Sequence, residues 1–460
     1  MQESKGAVMS DQTSEILYGA ETTKALGNFK ISNIKMPRAF LWALGTLKSA
    51  CAQANNELGL LKTDKSTAIQ HAANEIADGV HDKQFPIDIF QTGSGTSTNM
   101  NANEVIASLI KLKSYNYINV HPNDDVNMGQ SSNDVIPSCI HLSAAKLISE
   151  ELLPALSHLS NTLDEKASEH HNTIKTGRTH LMDAMPLSFA QEISAWSSQI
   201  RFAHDQLQNS LQHLCKLAIG GTAIGTGVNT DAEFGTIVTR ILTEKTKLKF
   251  TPADNLFHAI SAQDVAVSVS GILKTTAVSL SKISNDIRWL SSGPLNGLNE
   301  IHLPELQKGS SIMPGKVNPV IPEAVLMGCT QVIGNDTTIT LAGQSGNFQL
   351  NTMLPFIGHS LVQSIQLLSS CSITMADKAI KGMQINHQHI EGNLAKNPIL
   401  ATALINLIGY EKSAEIAKQA HAEQRTVFEV AKELTDISEE VLTVLLDPNV
   451  MIKSVKTKEL

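Results

Sequence analysis

The stretch VIPSCIHLSAAKLISEELLPALSHLSNTL, Val135–Leu163, places apolar side chains at Ile136, Ile140, Ala144, Ile148, Leu152, Leu156, Leu159 and Leu163. Spacings of four and three hold these on one face of an α-helix, in phase for roughly 40 Å at about 1.5 Å per residue. Pro154 lacks a backbone donor, so a kink is predicted there rather than an end, because the stripe continues in register beyond it. Comparable stretches run from roughly Leu187 to Leu214, Ile260 to Leu290, Pro322 to Ala342 and Pro355 to Lys381. Each begins near a Pro, Ser, Asp or Asn, as helix starts commonly do. Five such helices, apolar over more than one face, exceed what one chain needs for its core. The pattern therefore predicts a bundle completed by other subunits.

Outward from this centre the pattern changes. Residues before about 130 read as shorter helices with loops, and no βαβ alternation occurs. After about 388 the chain is more polar, with short amphipathic helices at Ser413–Ala420 and Thr426–Leu434. Three regions are predicted: an N-terminal, mainly helical domain over 1–130, a long-helix domain over 131–388, and a small helical domain over 389–460. The chain has 460 residues, of which 17% are charged and 4% aromatic, which suits closely packed helices better than a β-sandwich. Net charge is −8, and Lys and Arg form no dense block, which argues against nucleic acid and anionic membranes as partners. The 5 cysteines are scattered, with neither disulfide nor zinc spacing. The first thirty residues contain no arginine and no continuous apolar run, and no run elsewhere reaches membrane-spanning length. Without a signal segment, the terminal Thr457-Lys458-Glu459-Leu460 carries no retention meaning. A cytoplasmic protein is expected.

The chemistry concentrates in loops. Gly309-Ser310-Ser311-Ile312-Met313-Pro314-Gly315-Lys316-Val317-Asn318-Pro319 packs hydroxyls, an ammonium and an amide between apolar helices. Its glycines and prolines forbid a regular helix, and its side chains suit a small anion. A Ser-rich turn that merely caps the next helix would need neither Lys316 nor Asn318. This run resembles the signature GSSxMPxKxNP of the fumarase/aspartase superfamily at every specified position, and the resemblance extends over nearly the whole chain. It implies an all-α, three-domain subunit. Five central helices per subunit would form a twenty-helix core in a homotetramer.

Four further constellations refine the resemblance toward the class II fumarate hydratases. Thr92-Gly93-Ser94-Gly95-Thr96 can cradle an anion through its amides and hydroxyls. Its form resembles the fumarase TGSGT loop more than the aspartase GAGV. The group Gln130-Ser131-Ser132-Asn133-Asp134 can cap a helix, and a helix N-terminus is itself an anion site. The resemblance implies substrate contacts by Ser94, Thr96, Ser131, Ser132, Asn133, Thr179, Lys316 and Asn318. The preceding His121-Pro122-Asn123-Asp124 resembles a subsidiary dicarboxylate site, mapping to His121, Asn123 and Asp124. Gly177-Arg178-Thr179-His180 reads as a polar turn before a helix. His180 stands where aspartases typically have Gln, and its unperturbed pKa suits proton traffic near neutrality. Gly220-Gly221-Thr222-Ala223-Ile224-Gly225-Thr226-Gly227 follows no strand, so a tight helix-to-helix loop near the site is a better reading than a dinucleotide fingerprint.

The resemblance implies reversible hydration of fumarate to L-malate, with a dicarboxylate substrate. Ser311 would be the base, and His180 paired with Glu323 would serve the departing hydroxyl. Lys316 and Asn318 would stabilise the aci-carboxylate as its charge develops. No step calls for a metal or organic cofactor. Some positions depart from the family pattern: Met128-Gly129 replace Lys-Ser, Leu295 and Leu354 replace Arg, Gln349 replaces Glu, and Glu3-Ser4-Lys5-Gly6 stands in place of ERDxMG. An aspartate ammonia-lyase is the nearest rival, because Leu298-Asn299-Glu300-Ile301 and Ile333-Gly334-Asn335-Asp336 look aspartase-like. A non-catalytic scaffold is the other, although it would need none of Ser311, Lys316, Asn318, His180 and Glu323.

Overall fold

The computed structural model describes residues 16–113 and 117–452. The expectations for residues 3–6 and 457–460 lie outside the described residues. The fold is all-α, with strand pairing confined to four two-stranded ladders and an isolated bridge between Lys35 and Asp88 among the described residues.

All eight residues of the opening stripe are 1% exposed or less. The stripe forms the Ser132–Leu147 helix, a π-helical turn over Ile148–Leu152, and the Leu153–Glu169 helix. The wide turn lies immediately ahead of Pro154, where a proline ring would collide with the carbonyl four residues back. Burying its seven Ile and Leu side chains contributes roughly 10–20 kcal/mol gross, which outweighs the roughly 3 kcal/mol that an interior proline costs. The helix therefore deforms and continues. The other predicted long helices are Phe189–Leu214, Asp264–Leu290, Val320–Gly343 and Leu354–Met375. The third predicted stretch starts late, because a separate Leu256–Ser261 helix ends before Asp264.

The chain divides into two compact units, at boundaries that fall inside helical segments. The first comprises Met1–Ser149, Asn209–Gly271 and Gly334–Ile365. In it the Arg38–Glu57 helix packs against the Thr63–Ala77, Ser132–Leu147 and Phe234–Thr246 helices. Phe40, Leu44, Leu47, Ile69 and Ile140 fill that core. Leu354, where an Arg was expected from the family pattern, is fully buried here, and its amide donates to the Gly93 carbonyl at 2.9 Å. An arginine at that spot would need a partner for its charge.

The second unit comprises Glu150–Gln208, Ile272–Ile333 and Gln366–Leu460. Its antiparallel hairpin pairs Ile174–Thr179 with Met182–Ser188. Its C-terminal helices, including Ile405–Glu423 and Val427–Leu434, close around Leu404, Ile416, Val430 and Leu442. No helix among the described residues is long and apolar enough to cross a membrane.

Candidate active site

In the first unit, the Thr92–Thr96 loop turns sharply into the Thr96–Lys113 helix, with Gly95 at φ 73°. That φ is left-handed, and a Cβ there would lie 2.8 Å from Ile136, so the turn needs glycine twice over. The tight turn aligns three hydroxyls. Ser94 and Thr96 share a hydrogen bond at 2.7 Å, and Thr96 shares another with Ser132 at 2.7 Å. Ser132 opens the helix that begins the long stripe, and Ser131 caps it, its hydroxyl accepting from the Asn133 amide at 3.2 Å. The Asn133 side chain donates to the Ala223 carbonyl at 2.8 Å, which brings the Gly220–Gly227 loop beside this group.

Asp134 fixes that arrangement. It is fully buried, and its carboxylate accepts from the amides of Ser131 (2.9 Å), Gly220 (3.1 Å) and Thr222 (2.8 Å). Burial pushes its pKa up to about 7, while those three donors and Lys48 pull it the other way. In the sequence, Asp134 reads only as a possible cap. Its hidden second role could have been suspected from the conjunction of a helix-start aspartate with a distant Gly-rich loop that exposes amides.

The His121–Asp124 turn also belongs to this unit. The His121 Nδ1 accepts from the Asp124 amide at 3.1 Å, while Asp125 pairs with Lys65 at 2.8 Å. Asp124 is largely exposed.

In the second unit, Thr179 and His180 lie at the hairpin tip. Where a turn leading straight into a helix was expected, the Met182–Ser188 strand intervenes. His180 and Leu181 both adopt positive φ, 54° and 63°, as a type I′ turn demands of its central pair. Such turns favour Asn-Gly, so a His-Leu pair stores strain of about 1–3 kcal/mol per residue. Behind the tip, the fully buried Lys175 pairs with Glu300 at 2.7 Å and Glu192 at 2.8 Å, and Arg178 reaches Glu300 at 2.5 Å. This ion network, absent from the sequence reading, ties the hairpin base to the residue after Asn299.

The Gly309–Pro319 loop is pinched at its ends. The Asn318 amide donates to the Gly309 carbonyl at 2.7 Å, and a Cβ on Gly309 would overlap the Lys316 carbonyl. Ser310 accepts from the amides of Ile312 and Met313, leaving Ser311 outward and exposed. Lys316, Asn318 and Glu323 line a cavity of about 620 Å3 together with Arg288 and His302. Ser311 and His180 are not among its walls. Among the described residues, no hydrogen bond or ion pair joins His180 to Glu323.

The predicted residues therefore fall into two sets. Ser94, Thr96, Ser131, Ser132 and Asn133 cluster in the first unit, with His121, Asn123 and Asp124 on a neighbouring stretch of chain. Thr179, His180, Ser311, Lys316, Asn318 and Glu323 belong to the second. No group of three His, Cys, Asp or Glu side chains converges in metal-binding fashion among the described residues.

The family description "Lyase" matches residues 9–334, and "Fumarase C C-terminus" matches residues 400–453. An all-α frame carrying hydroxyl- and amide-rich loops is thereby a lyase. The chain is 52% identical over 434 residues to the class II fumarate hydratase of Xylella fastidiosa (strain Temecula1 / ATCC 700964), covering 94% of this chain and 91% of that one. It is 52% identical over 432 residues to a second such protein, from Pseudomonas aeruginosa, with 94% of each covered. The crystal structure of class II fumarase from Schistosoma mansoni superposes with a TM-score of 0.93 at 39% identity, over 96% of this chain and 97% of that one. The chain belongs to the class II fumarate hydratases, lyases that reversibly hydrate fumarate to malate.

Proposed function

We propose that this chain carries out that reaction with Ser311 as the base. In the dehydrating direction Ser311 takes the malate C3 proton, and negative charge moves onto the adjacent carboxylate as an aci-carboxylate. Lys316 and Asn318 stabilise that charge, the first as a point cation and the second through its amide N–H. A serine hydroxyl is a weak base near neutrality, so Ser311 acts as an alkoxide favoured by neighbouring amides and positive charge. His180, oriented by Glu323 and working through a water, gives the C2 hydroxyl the proton with which it leaves. Ser94, Thr96, Ser131, Ser132, Asn133 and Thr179 hold the carboxylates, and His121, Asn123 and Asp124 form a subsidiary anion site.

The observation that carries this reading is the Ser94–Thr96–Ser132 hydroxyl chain, in which two loops distant in sequence bring their hydroxyls together, a grouping suited to one small anion. The strained backbone at His180 supports its role, because such strain concentrates at functional turns.

The chain is further proposed to act as a homotetramer in which three subunits supply one site. Val278 on the Asp264–Leu290 helix, with Met327 and Leu341 along the Val320–Gly343 helix, are 54%, 69% and 55% exposed in the single chain, which supports burial against other copies. The three-region partition at about 130 and 388 and a cytoplasmic location belong to the same proposal.

The test is turnover by Ser311→Ala and His180→Asn, each checked for intact assembly by size-exclusion chromatography. Loss of a general acid or base costs roughly 10²–10⁴ in rate, and both variants are expected in that range. Full activity in either one removes that residue from the mechanism.

A further inference from the structure

Lys48 lies on the Arg38–Glu57 helix and is fully buried. Its ammonium donates to Asn127 Oδ1 at 2.9 Å and to Gln130 Oε1 at 2.9 Å. Both acceptors are neutral amides, and no carboxylate lies within ion-pair reach among the described residues. A buried charge held in this way is costly, and an apolar side chain of similar length would fill the same space without that cost.

The network around it leads to the proposed substrate loop. Asn127 Oδ1 also accepts from Asn99 at 3.0 Å and Asn103 at 3.3 Å, both on the helix that follows the Thr92–Thr96 loop. The Asn127 amide donates to the Gln130 carbonyl at 3.1 Å, and the Gln130 amide donates to the carbonyls of Val126 and Met128. Ser131 and Ser132 follow directly, with Ser132 bonded to Thr96. Asn127 is thus the hub at which both hydroxyl-bearing loops meet, and Lys48 holds it together with Gln130.

The surrounding groups leave the Lys48 charge without a direct ionic partner. Asp134, on the Ser132–Leu147 helix, is the carboxylate whose field reaches Lys48 and offsets part of its charge from a distance, its oxygens accepting from three backbone amides. Cys51 and Cys139 face Lys48 as thiols whose pKa burial pushes well up, so they stay neutral. From the Phe234–Thr246 helix, Lys245 donates to Ser49. From the Thr63–Ala77 helix, Lys65 is neutralised by Asp125. Burial holds Lys48 down at about 8.

We propose that Lys48 is a positioning residue for the hydratase reaction, holding the 127–133 loop in shape and supplying a buried positive charge, unpaired by direct contact, that favours binding of a dicarboxylate there. This rests on the reading of Ser131–Asn133 as substrate-binding, and the experiment separates the two.

Steady-state kinetics with L-malate would be measured on the full-length enzyme across neutral to alkaline pH for wild type, Lys48→Met, Asn127→Asp and Asn133→Ala. Lys48→Met is expected to raise KM about tenfold, the scale of one lost charge-assisted interaction, with kcat changed less than about threefold. Asn127→Asp sets a carboxylate against the ammonium at nearly constant volume, so it should raise KM similarly, and it decides the matter should Lys48→Met not fold. Wild-type KM should climb above about pH 8 as Lys48 loses its proton, and Lys48→Met should lack that inflection. If Lys48 were purely structural, Lys48→Met would lower thermal stability and leave KM and its pH profile unmoved. Folded Lys48→Met or Asn127→Asp with wild-type KM, beside a raised KM in Asn133→Ala, overturns the role of Lys48 alone. An unchanged KM in Asn133→Ala overturns the loop reading itself, and the Lys48 proposal with it.

Discussion

Replacing Gly309 with Ala would put a methyl group where the two ends of the Gly309–Pro319 loop meet. The added carbon would lie 2.7 Å from the Lys316 carbonyl carbon and 3.2 Å from the Val317 nitrogen, and would overlap the carbonyl oxygen. These are backbone atoms and cannot swing aside as a side chain end can. The loop ends must part by about 1 Å, stretching the Asn318–Gly309 hydrogen bond that closes the same junction. A displacement of that size at reacting groups costs about 10²-fold in rate, or about 2.7 kcal/mol at 1.36 kcal/mol per decade. The loop is largely exposed, so global stability should move by no more than about 0.5 kcal/mol. The assay follows fumarate absorbance from L-malate, alongside a thermal melt. Gly309→Ala should lose about 100-fold in kcat/KM with an unchanged melting temperature. Gly315→Ala makes the comparison: φ is 75° there but no atom lies within 4 Å, so only backbone strain of about 1 kcal/mol is added, equivalent to about fivefold. If Gly309→Ala keeps wild-type kcat/KM, the pinch does not govern the loop and the reasoning fails.

Thr96→Val keeps the side-chain shape but removes the hydroxyl between Ser94 and Ser132. At about 1 kcal/mol per net hydrogen bond, KM for malate should rise roughly 5–30-fold, and an unchanged KM would place the substrate elsewhere. Asp134→Asn leaves one acceptor oxygen, so the new NH2 must face either the Ser131 amide or the Gly220 and Thr222 amides. One or two unpaired buried donors cost about 1–6 kcal/mol, readable as a lower urea midpoint. A midpoint matching wild type would refute the clasp. For Lys48 the folded pKa lies below its unfolded value, at about 8 against 10.5. The native state therefore holds that proton less tightly than the unfolded chain, and the penalty is complete below pH 8 and relieved between about 8 and 10.5. Across that window, urea midpoints should move in favour of wild type relative to Lys48→Met; a constant difference contradicts the assignment.

The central helices were legible because one apolar stripe at α-helical period, Ile136 to Leu163, can be buried in only one way, and Pro154 registers as a local widening. The Ser94, Thr96 and Ser132 group was legible as loop chemistry, since Gly93 and Gly95 mark a turn that no regular element tolerates. The hairpin at Ile174–Ser188 was not, because its tip is His180-Leu181 and lacks the Asn-Gly signal that normally announces a type I′ turn. Lys48 was invisible for another reason. A single lysine in an amphipathic helix reads as solvent-facing, and only packing from three other helices buries it. The Lys175–Glu300–Arg178 network likewise joins residues more than 120 positions apart, beyond any local pattern.

The most direct test uses purified, chelator-treated protein, with fumarate absorbance followed after addition of L-malate and, in parallel, of L-aspartate. The expected result is a rise with malate and none with aspartate, undiminished by the chelator. A rise with aspartate alone would contradict it, turning the enzyme into an ammonia-lyase and His180 into a bystander.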